Sequence, residues 1–234
     1  ATNELKTAPG DPSTASTNYG FDKNYQTTID NVLRYTIKIK SKHDINAMVG
    51  YNQMYYNYYD FSASKLGLVD YTITNLGSAL LPTTTSGTEY DYSMRSYFGR
   101  INYAYDNKYL LEGNIRYDGV SRFSPDSRWG LFPSVSAGWR ITEEKFMNST
   151  KNWLSNLKLR ASWGKLGNNA SGNYDWQSTY STRLYSFNNV QYSGLAVGRI
   201  ANPELQWEKT TNTNIGLEGA FLNNKILFEL DVYR

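Results

Sequence analysis

Few residues of this chain have the types and spacing that catalysis requires. The single histidine, His43, follows Lys40 and Lys42 and precedes Asp44 in a short polar turn. A zinc site or a catalytic triad needs partners that this turn lacks, so we interpret His43 as a solvated turn residue. The chain has no cysteine, which leaves neither disulfides nor thiolate chemistry. No phosphate-binding loop or nucleophile elbow occurs. The sequence therefore predicts no enzyme, no metal site and no cofactor.

The overall composition excludes two further classes. The net charge of +3 is small, and no dense Lys/Arg cluster is present, so nucleic acid is not an expected partner. No apolar run approaches the roughly 18 residues that a helical membrane span requires. Aromatic residues are abundant, with 21 tyrosines and 6 tryptophans. Their amphipathic rings are favoured at the boundary between lipid and water.

The chemistry-bearing residues that remain lie in strictly alternating segments. Between Tyr109 and Asp118, apolar residues and glycine occupy every second position, while Glu112, Asn114 and Arg116 occupy the positions between them. A period of two is typical of a strand with two different faces. We expect the apolar set of these segments to point outward, toward lipid. That set comprises Leu111, Ile115, Tyr117, Val135, Trp139, Leu159, Trp163, Leu217 and Phe228.

Eight such segments are predicted. They cover about residues 25–39, 44–61, 91–105, 109–118, 131–141 and 157–164, and two more flank residues 222–225. Residues 1–24 are rich in Thr, Asn, Ser, Gly and Pro and are predicted to be loop. Thr142 is a candidate start of one short helix in the connection 142–156.

Connections between the predicted strands alternate in length, except that the connection 142–156 is longer than the tight turn expected at that place. Tight turns are expected at 40–43, 106–108 and 222–225, and long connections at about 65–89, 119–128 and 166–205. A membrane β-barrel has this parity, with short periplasmic turns and long extracellular loops. The sequence therefore predicts an all-β, antiparallel transmembrane barrel of the outer-membrane type.

The ends of the chain argue against a small closed barrel. If the tight turns face the periplasm, the first strand begins and the last strand finishes on the extracellular side, where a complete barrel does not place its termini. We therefore expect residues 1–234 to be part of one larger barrel domain.

Several segments resemble one family of outer-membrane transporters. The resemblance is carried by residues 99–103, 109–111, 116–119, 121–123, 128–130, 132–134, 138–141, 153–154, 157–164, 202–208, 214–217 and 221–224. In order and spacing these segments are similar to the barrel of the SusC/RagA family of TonB-dependent transporters. Val120 and Ser124 depart from the family's usual Ser and Gly. The first ninety residues match only as a strand pattern.

The resemblance implies a location, a function and partners. It implies a barrel of about 22 strands in the outer membrane of a Gram-negative bacterium, closed by a plug. Such a transporter imports oligosaccharides or peptides, is energised through TonB and works with a surface lipoprotein of the SusD type. The family's plug domain, TonB-contacting segment and barrel-closing strands are not among these residues. The residues do not separate glycan from peptide as the substrate.

Two sets of candidate site residues follow. The charged residues of the alternating strands are expected to face the lumen, where they either contact substrate or pair with one another: Arg100, Glu112, Arg116, Asp118, Arg140, Arg160 and Glu218. Aromatic residues of the long connection 166–205 either contact ligand or the lipoprotein lid, or pack within the loop: Trp176, Tyr180, Tyr185, Phe187 and Tyr192.

A third aromatic group lies near the end of the second predicted strand. Tyr55, Tyr56, Tyr58 and Tyr59 could stack on sugar rings, but their position at the outer end of a strand favours a girdle at the membrane interface. The cluster of Arg122, Phe123, Arg128, Trp129, Gly130 and Pro133 is expected to shape a loop at the barrel rim.

Two other classes of protein remain open at this stage. A soluble β-sandwich carbohydrate-binding module would explain the alternation, because its apolar faces are buried together. It does not explain the alternating lengths of the connections. A small outer-membrane barrel that acts as an adhesin or structural anchor explains both, but places the chain ends wrongly.

Overall fold

The chain forms ten β-strands and three short 3₁₀ helices in a computed structural model that describes residues 15–68 and 72–234. The strands are β1 (Ser16–Ile39), β2 (His43–Leu68), β3 (Ala79–Tyr105), β4 (Tyr109–Val120), β5 (Trp129–Arg140), β6 (Leu154–Asn168), β7 (Thr179–Phe187), β8 (Val190–Arg199), β9 (Glu208–Phe221) and β10 (Ile226–Tyr233). The 3₁₀ helices are Leu76–Ser78, Ile141–Glu143 and Lys145–Thr150. Within the described ranges, no helix is long and apolar enough to cross a membrane.

Eight of the strands form one sheet. Their order is β1-β2-β3-β4-β5-β6-β9-β10, so that β1 and β10 are the two edge strands, and β7 and β8 form a separate two-stranded sheet. The pairs from β3 to β10 are antiparallel. The predicted all-β antiparallel fold with eight principal strands is confirmed, and the sheet is open.

Left-handed backbone closes the tight turns. Positive φ angles occur at 40–41, 106–107 and 222–224, and again at Asn188 and Asn189 between β7 and β8. The β7–β8 turn has two residues, a length whose left-handed geometry matches the twist of the strands, whereas the other tight turns have three or four residues. Each turn fixes the register of the pairing that follows it. In β3 and β4 that register places Tyr105 opposite Tyr109.

The first three strands are longer than the sequence pattern predicts. β1 begins at Ser16, although residues 1–24 are predicted to be loop; residues 1–14 lie outside the described ranges. The predicted loop 65–89 is wrong for most of its length, because β2 continues to Leu68 and β3 begins at Ala79. Residues 80–89 carry Thr, Ser and Gly without an apolar alternation. The periodic signal is lost there although the strand continues.

The two other connections also differ in detail. The predicted loop 166–205 contains the β7–β8 hairpin, and the flanking strands reach Asn168 and begin again at Glu208. The connection 142–156 has the expected short helical structure, as 3₁₀ rather than α-helix.

The chain divides into two compact units, each with its own buried residues. The first unit comprises residues 1–28 and 54–93, and its described part buries Ala15, Leu68 and Ala79. The second comprises residues 29–53 and 94–234. It buries Val120, Phe123, Phe132 and Trp207.

Candidate functional site

The sheet of the second unit has one apolar face that is exposed. The register places Tyr103 and Ala137 on either side of Leu111, and Val135 opposite Trp163. Leu111 is 50% and Ile115 51% exposed, where a soluble protein would bury such residues. Of the nine residues expected to point outward, seven are exposed; Trp139 and Leu217 are half-buried. Trp139 is partly covered because its indole donates a hydrogen bond to Glu144.

Aromatic rings mark both ends of this apolar face. At the long-connection end, the centre of the Tyr97 ring lies 5.3 Å from that of Tyr51 and 6.2 Å from that of Trp129. The ring centres of Trp129 and Tyr117 are 4.7 Å apart. At the tight-turn end, the rings of Tyr105 and Tyr109 are 6.3 Å apart. From Tyr109 to Tyr117 the strand runs about 26 Å at roughly 3.3 Å per residue. At the roughly 35–45° tilt of barrel strands, this length covers about 20 Å along the membrane normal, so the two belts lie within or at the edges of the apolar band of about 25 Å of a membrane barrel.

The opposite face carries the charged residues, and an ion-pair cluster lies at its centre. Arg160 on β6 contacts Glu218 on β9 at 3.0 Å and Asp231 on β10 at 2.7 Å, and it also pairs with Glu229. Lys158 lies 3.4 Å from Glu218. These contacts join three adjacent strands. The cluster contains two of the predicted candidate residues, Arg160 and Glu218. Its other three members were not among the candidates predicted from the sequence: Lys158, Glu229 and Asp231.

The other predicted lumen residues share this face but pair locally. The Arg116 guanidinium lies 3.0 Å from Asp118 and 5.5 Å from the centre of the Phe98 ring. Arg100 donates a 2.7 Å hydrogen bond to Asn114, whose amide in turn donates to Glu112. Arg140 donates to Asn107 in the adjacent turn at 2.9 Å. All seven predicted residues therefore lie on one face, and their contacts favour mutual pairing.

A packed cluster caps the long-connection end of β4 and β5. The indole ring of Trp207 makes edge contacts with Phe123 at 5.6 Å and Phe132 at 5.2 Å, and its N–H donates to the carbonyl of Arg128 at 2.9 Å. Ser124 donates to the carbonyl of Pro203 at 2.7 Å. These bonds tie the connection 121–128 to the segment before β9. The expected rim loop is therefore an ordered, folded structure.

The predicted loop aromatics belong largely to the β7–β8 hairpin. Tyr185 pairs with Tyr192, and Phe187 with Val190, on one face of the hairpin. The other face carries Leu184, Leu195, Tyr180 and Val197. Both faces are exposed, and Phe187 and Leu195 each reach 74%. Trp176 precedes the hairpin and is half-buried. The sequence pattern placed these residues in the long connection but did not predict that they form a pair of strands.

Glu144 collects three donors at the tight-turn end. Its carboxylate accepts hydrogen bonds from the Tyr109 hydroxyl at 2.6 Å and the Trp139 indole at 3.2 Å, and Lys108 lies at 3.5 Å. The Tyr109 hydrogen bond and these other partners hold the pKa of Glu144 below its usual value, although partial burial opposes them. The carboxylate thereby fastens the short 3₁₀ connection to β4 and β5.

The four tyrosines expected at the end of the second strand lie in the middle of β2, which continues to Leu68, and they do not form one girdle. Tyr55 and Tyr59 are exposed, whereas Tyr56 and Tyr58 are half-buried in contacts with tyrosines of β3. Because successive residues of a strand point to opposite faces, the two pairs lie on different sides of the sheet. The prediction of a common interfacial girdle is therefore wrong for Tyr56 and Tyr58.

These features define a class of protein. A sheet with an exposed apolar band between two aromatic belts, and with charges on its other face, is built for contact with lipid on one side and water on the other. A β-sandwich would instead cover the apolar band with a second large sheet. In the described part of the chain, the second sheet is the two-stranded hairpin. No group of three or more His, Cys, Asp or Glu residues within those ranges could hold a metal ion.

Comparison with known proteins identifies the family. The family model described as TonB dependent receptor-like, beta-barrel, matches residues 2–234. The chain is 35% identical to the TonB-dependent receptor SusC of Bacteroides thetaiotaomicron over 97% of its own length and 24% of that protein. It is 37% identical to the TonB-dependent receptor P26 of Formosa agariphila over 87% of its length and 21% of that receptor. The chain belongs to the TonB-dependent receptor β-barrel family.

Solved structures show the same arrangement. The RagAB peptide transporter superposes with a TM-score of 0.85 and 28% identity, over 94% of this chain and 24% of that one. A structure of the RagAB peptide importer in an open state gives a TM-score of 0.84. The predicted resemblance to the SusC/RagA family is confirmed. The chain spans about a quarter of the length of these relatives.

Proposed function

We propose that the full-length protein is an outer-membrane transporter of a Gram-negative bacterium that imports an oligomeric nutrient, an oligosaccharide or a peptide. In this proposal residues 1–234 are part of the wall of a single barrel of about 22 strands, whose lumen is closed by a plug. Transport is energised from the inner membrane through TonB. A surface lipoprotein of the SusD type works with the barrel at the cell surface.

The two-faced sheet is the observation that carries this proposal. The apolar face of β3 to β6, β9 and β10 is exposed between its aromatic belts, as lipid contact requires. The charged face suits a hydrated lumen, because ionised groups lose less solvation there than in a dry core. A barrel of this width needs a plug, and energy is then required to open a path. The similarity to receptors named for TonB supports that source of energy.

We assign the seven charged residues to the lumen wall. Arg160 and Glu218 hold β6, β9 and β10 together through their ion pairs, and Arg116 and Asp118 form a local pair. Arg100, Glu112 and Arg140 have polar neighbours on the same face. Their contacts favour a role in maintaining the wall over one in binding substrate.

The β7–β8 hairpin is the proposed contact for the lipoprotein or the ligand. It stands outside the main sheet and presents large apolar side chains on both faces, including Tyr185, Phe187 and Leu195. A two-stranded hairpin has little stability alone in water. A partner that covers one of its faces would stabilise it. Membership of the same family as SusC, together with the structural match to the RagAB peptide transporter, is consistent with a partner component, which we propose for this protein.

Two separate mutants test the proposed function: one lacks the gene for this protein, and the other has an inactive TonB. We expect each mutant to lose uptake of the same fluorescently labelled oligosaccharide or peptide from a defined panel. Restoring the intact gene should recover uptake, whereas restoring it in the TonB mutant should not. Normal growth of both mutants on every glycan and peptide tested would contradict the transporter and favour a structural anchor or adhesin.

A further inference from the structure

We infer that four tyrosines on β2 and β3 form a platform that binds the sugar rings of an oligosaccharide substrate. The ring of Tyr58 stacks on Tyr90 at 5.0 Å, Tyr90 lies 6.3 Å from Tyr56, and Tyr56 lies 5.2 Å from Tyr92. We call these four residues the tyrosine row. The inference rests on the proposed import function and narrows its substrate to glycans.

Contacts on both sides of the sheet fix the face on which the row lies. Asn57, between Tyr56 and Tyr58, donates to Glu89, so these intervening residues share the opposite face. Ser62 and Ser86 lie 2.7 Å apart, on the same alternation as the row. The opposite face carries the exposed Tyr59 and Phe61. The row is therefore separate from the outward-pointing aromatics of the same strands.

The surroundings of the row are polar and lack positive charge. The carboxylates of Asp60 and Asp22 lie within electrostatic range of Tyr58. Within the first unit, the alternation of the row in residues 16–28, 54–68 and 79–92 contributes Asn, Gln, Ser, Thr and Asp but no lysine or arginine. A neutral ligand rich in hydroxyl groups can donate hydrogen bonds to the carboxylates. An anionic glycan or an acidic peptide would be repelled.

The ring arrangement favours sugar over peptide. The four rings are half-buried and held by one another, so little side-chain entropy is lost when a ligand stacks on them. Tyrosine combines an apolar ring with a hydroxyl group, which matches a sugar ring that has C–H groups on its faces and hydroxyls at its edge. Tyr56 and Tyr58 are two residues apart on one strand, about 7 Å. The row is thus a strip, which suits an extended chain of sugars. A basic peptide is the competing ligand, since it could use cation–π contacts with the same rings.

The test uses the purified full-length transporter in detergent, together with its lipoprotein if one co-purifies. Binding of maltohexaose, cellohexaose, laminarihexaose, xylohexaose and mannohexaose is measured by calorimetry, beside a tryptic digest of casein. The double variant Tyr58→Ala/Tyr90→Ala removes the centre of the row. The matched control, Tyr55→Ala/Tyr59→Ala, removes two tyrosines from the other face of the same strand. Tyr58→Leu/Tyr90→Leu keeps apolar bulk and serves if the alanine pair does not assemble.

We expect at least one neutral hexasaccharide to bind, and its affinity to fall about tenfold or more in the row variants while the control keeps wild-type affinity. Equal affinity of the wild type and the assembled row variants would overturn the inference while import itself stood. A row variant that loses binding of peptides but keeps binding of sugars would also overturn the inference. Failure of the proposed import function gives a different result from failure of this inference. In that case the wild type itself would show no TonB-dependent uptake of any compound in the panel.

Discussion

Arg160 makes more ion pairs than any other residue described on the polar face. It pairs with Glu218, Glu229 and Asp231, and its side chain is 31% exposed. Arg160→Gln would leave three carboxylates close together without their shared cation. We expect the full-length protein to lose about 1 to 3 kcal/mol of stability, less than for a fully buried pair. For the measurement, samples are heated to a series of temperatures and then run on a gel without boiling. The temperature at which the band of the folded protein disappears is compared between variants.

Arg100→Gln is the matched control for this change. Arg100 is exposed and donates to a neutral amide, so its loss should lower that temperature much less. Adding Asp231→Asn to Arg160→Gln should restore part of the stability, because it removes a carboxylate that Arg160 pairs with at 2.7 Å, whereas Glu218 also has Lys158 as a partner. An equal effect of the two arginine variants would show that the cluster has no special role.

Glu144 makes the tight-turn end sensitive to acid. Its pKa is lower in the folded protein than the ordinary 4.5, chiefly through the hydrogen bond from Tyr109. The stabilisation is therefore complete above the ordinary pKa and is lost as the pH falls through the lowered value. We expect the unfolding temperature of the wild type to fall between neutral pH and about pH 3 by more than that of Glu144→Gln.

The comparison between variants isolates Glu144 from other carboxylates. Glu143→Gln is the control, since Glu143 makes only an exposed contact of 3.9 Å with Lys151 among the ion pairs of the described residues. Its acid sensitivity should equal that of the wild type. Identical pH profiles for the wild type and Glu144→Gln would refute the proposed role of this carboxylate.

At the scale of a strand, the two faces of β4 and β5 should respond differently to the same charge. Ile115 lies on the exposed apolar face between the two aromatic belts, whereas Ser136 lies on the polar face opposite Glu112. Arginine on the lipid face costs about 2 to 4 kcal/mol near the midplane. We expect Ile115→Arg to reduce the amount of folded transporter in the outer membrane strongly, and Ser136→Arg to reduce it little. Equal amounts of the two variants would contradict the assignment of the faces.

Alternation predicted the strands well where their two faces meet different surroundings. β4 and β5 have lipid-type residues such as Leu111 on one side and charged residues such as Glu112 on the other, and their limits were found within a few residues. The extensions at 16–24 and 79–89 were missed because both faces there carry polar residues. The hairpin was missed because each of its faces mixes apolar residues such as Tyr185 and Leu184 with polar ones such as Arg183 and Thr182, so the two faces do not differ. A period of two is visible only when the faces differ.

The same argument explains what was found of the candidate site. The charged face followed from alternation, because every second residue was charged or polar. The partners of Arg160 on β10 did not, because they depend on which strands are neighbours and in what register. The tyrosine row was missed because adjacent tyrosines in the sequence, such as Tyr55 and Tyr56, look like one group until the strand separates them.

At the scale of the whole chain, the open sheet predicts that these residues do not form a sealed barrel alone. β1 and β10 are the edge strands, and exposed edges promote aggregation. Expressed alone and refolded in detergent, residues 1–234 should give aggregates and no heat-modifiable band, in contrast to the full-length protein. A monomer whose β1 and β10 amides are protected from hydrogen exchange would show that the two edges pair.

The β7–β8 hairpin also affects how readily the main sheet can close. Residues 169–207 separate β6 from β9, which must pair from Asn168 and Glu208 onward. Residues 179–199 of that segment form the hairpin, so about half of the connecting chain is already ordered. Halving a flexible loop lowers the entropy cost of closing it by about 0.6 kcal/mol. An element placed outside the sheet thereby makes the most distant strand pairing of the chain less costly.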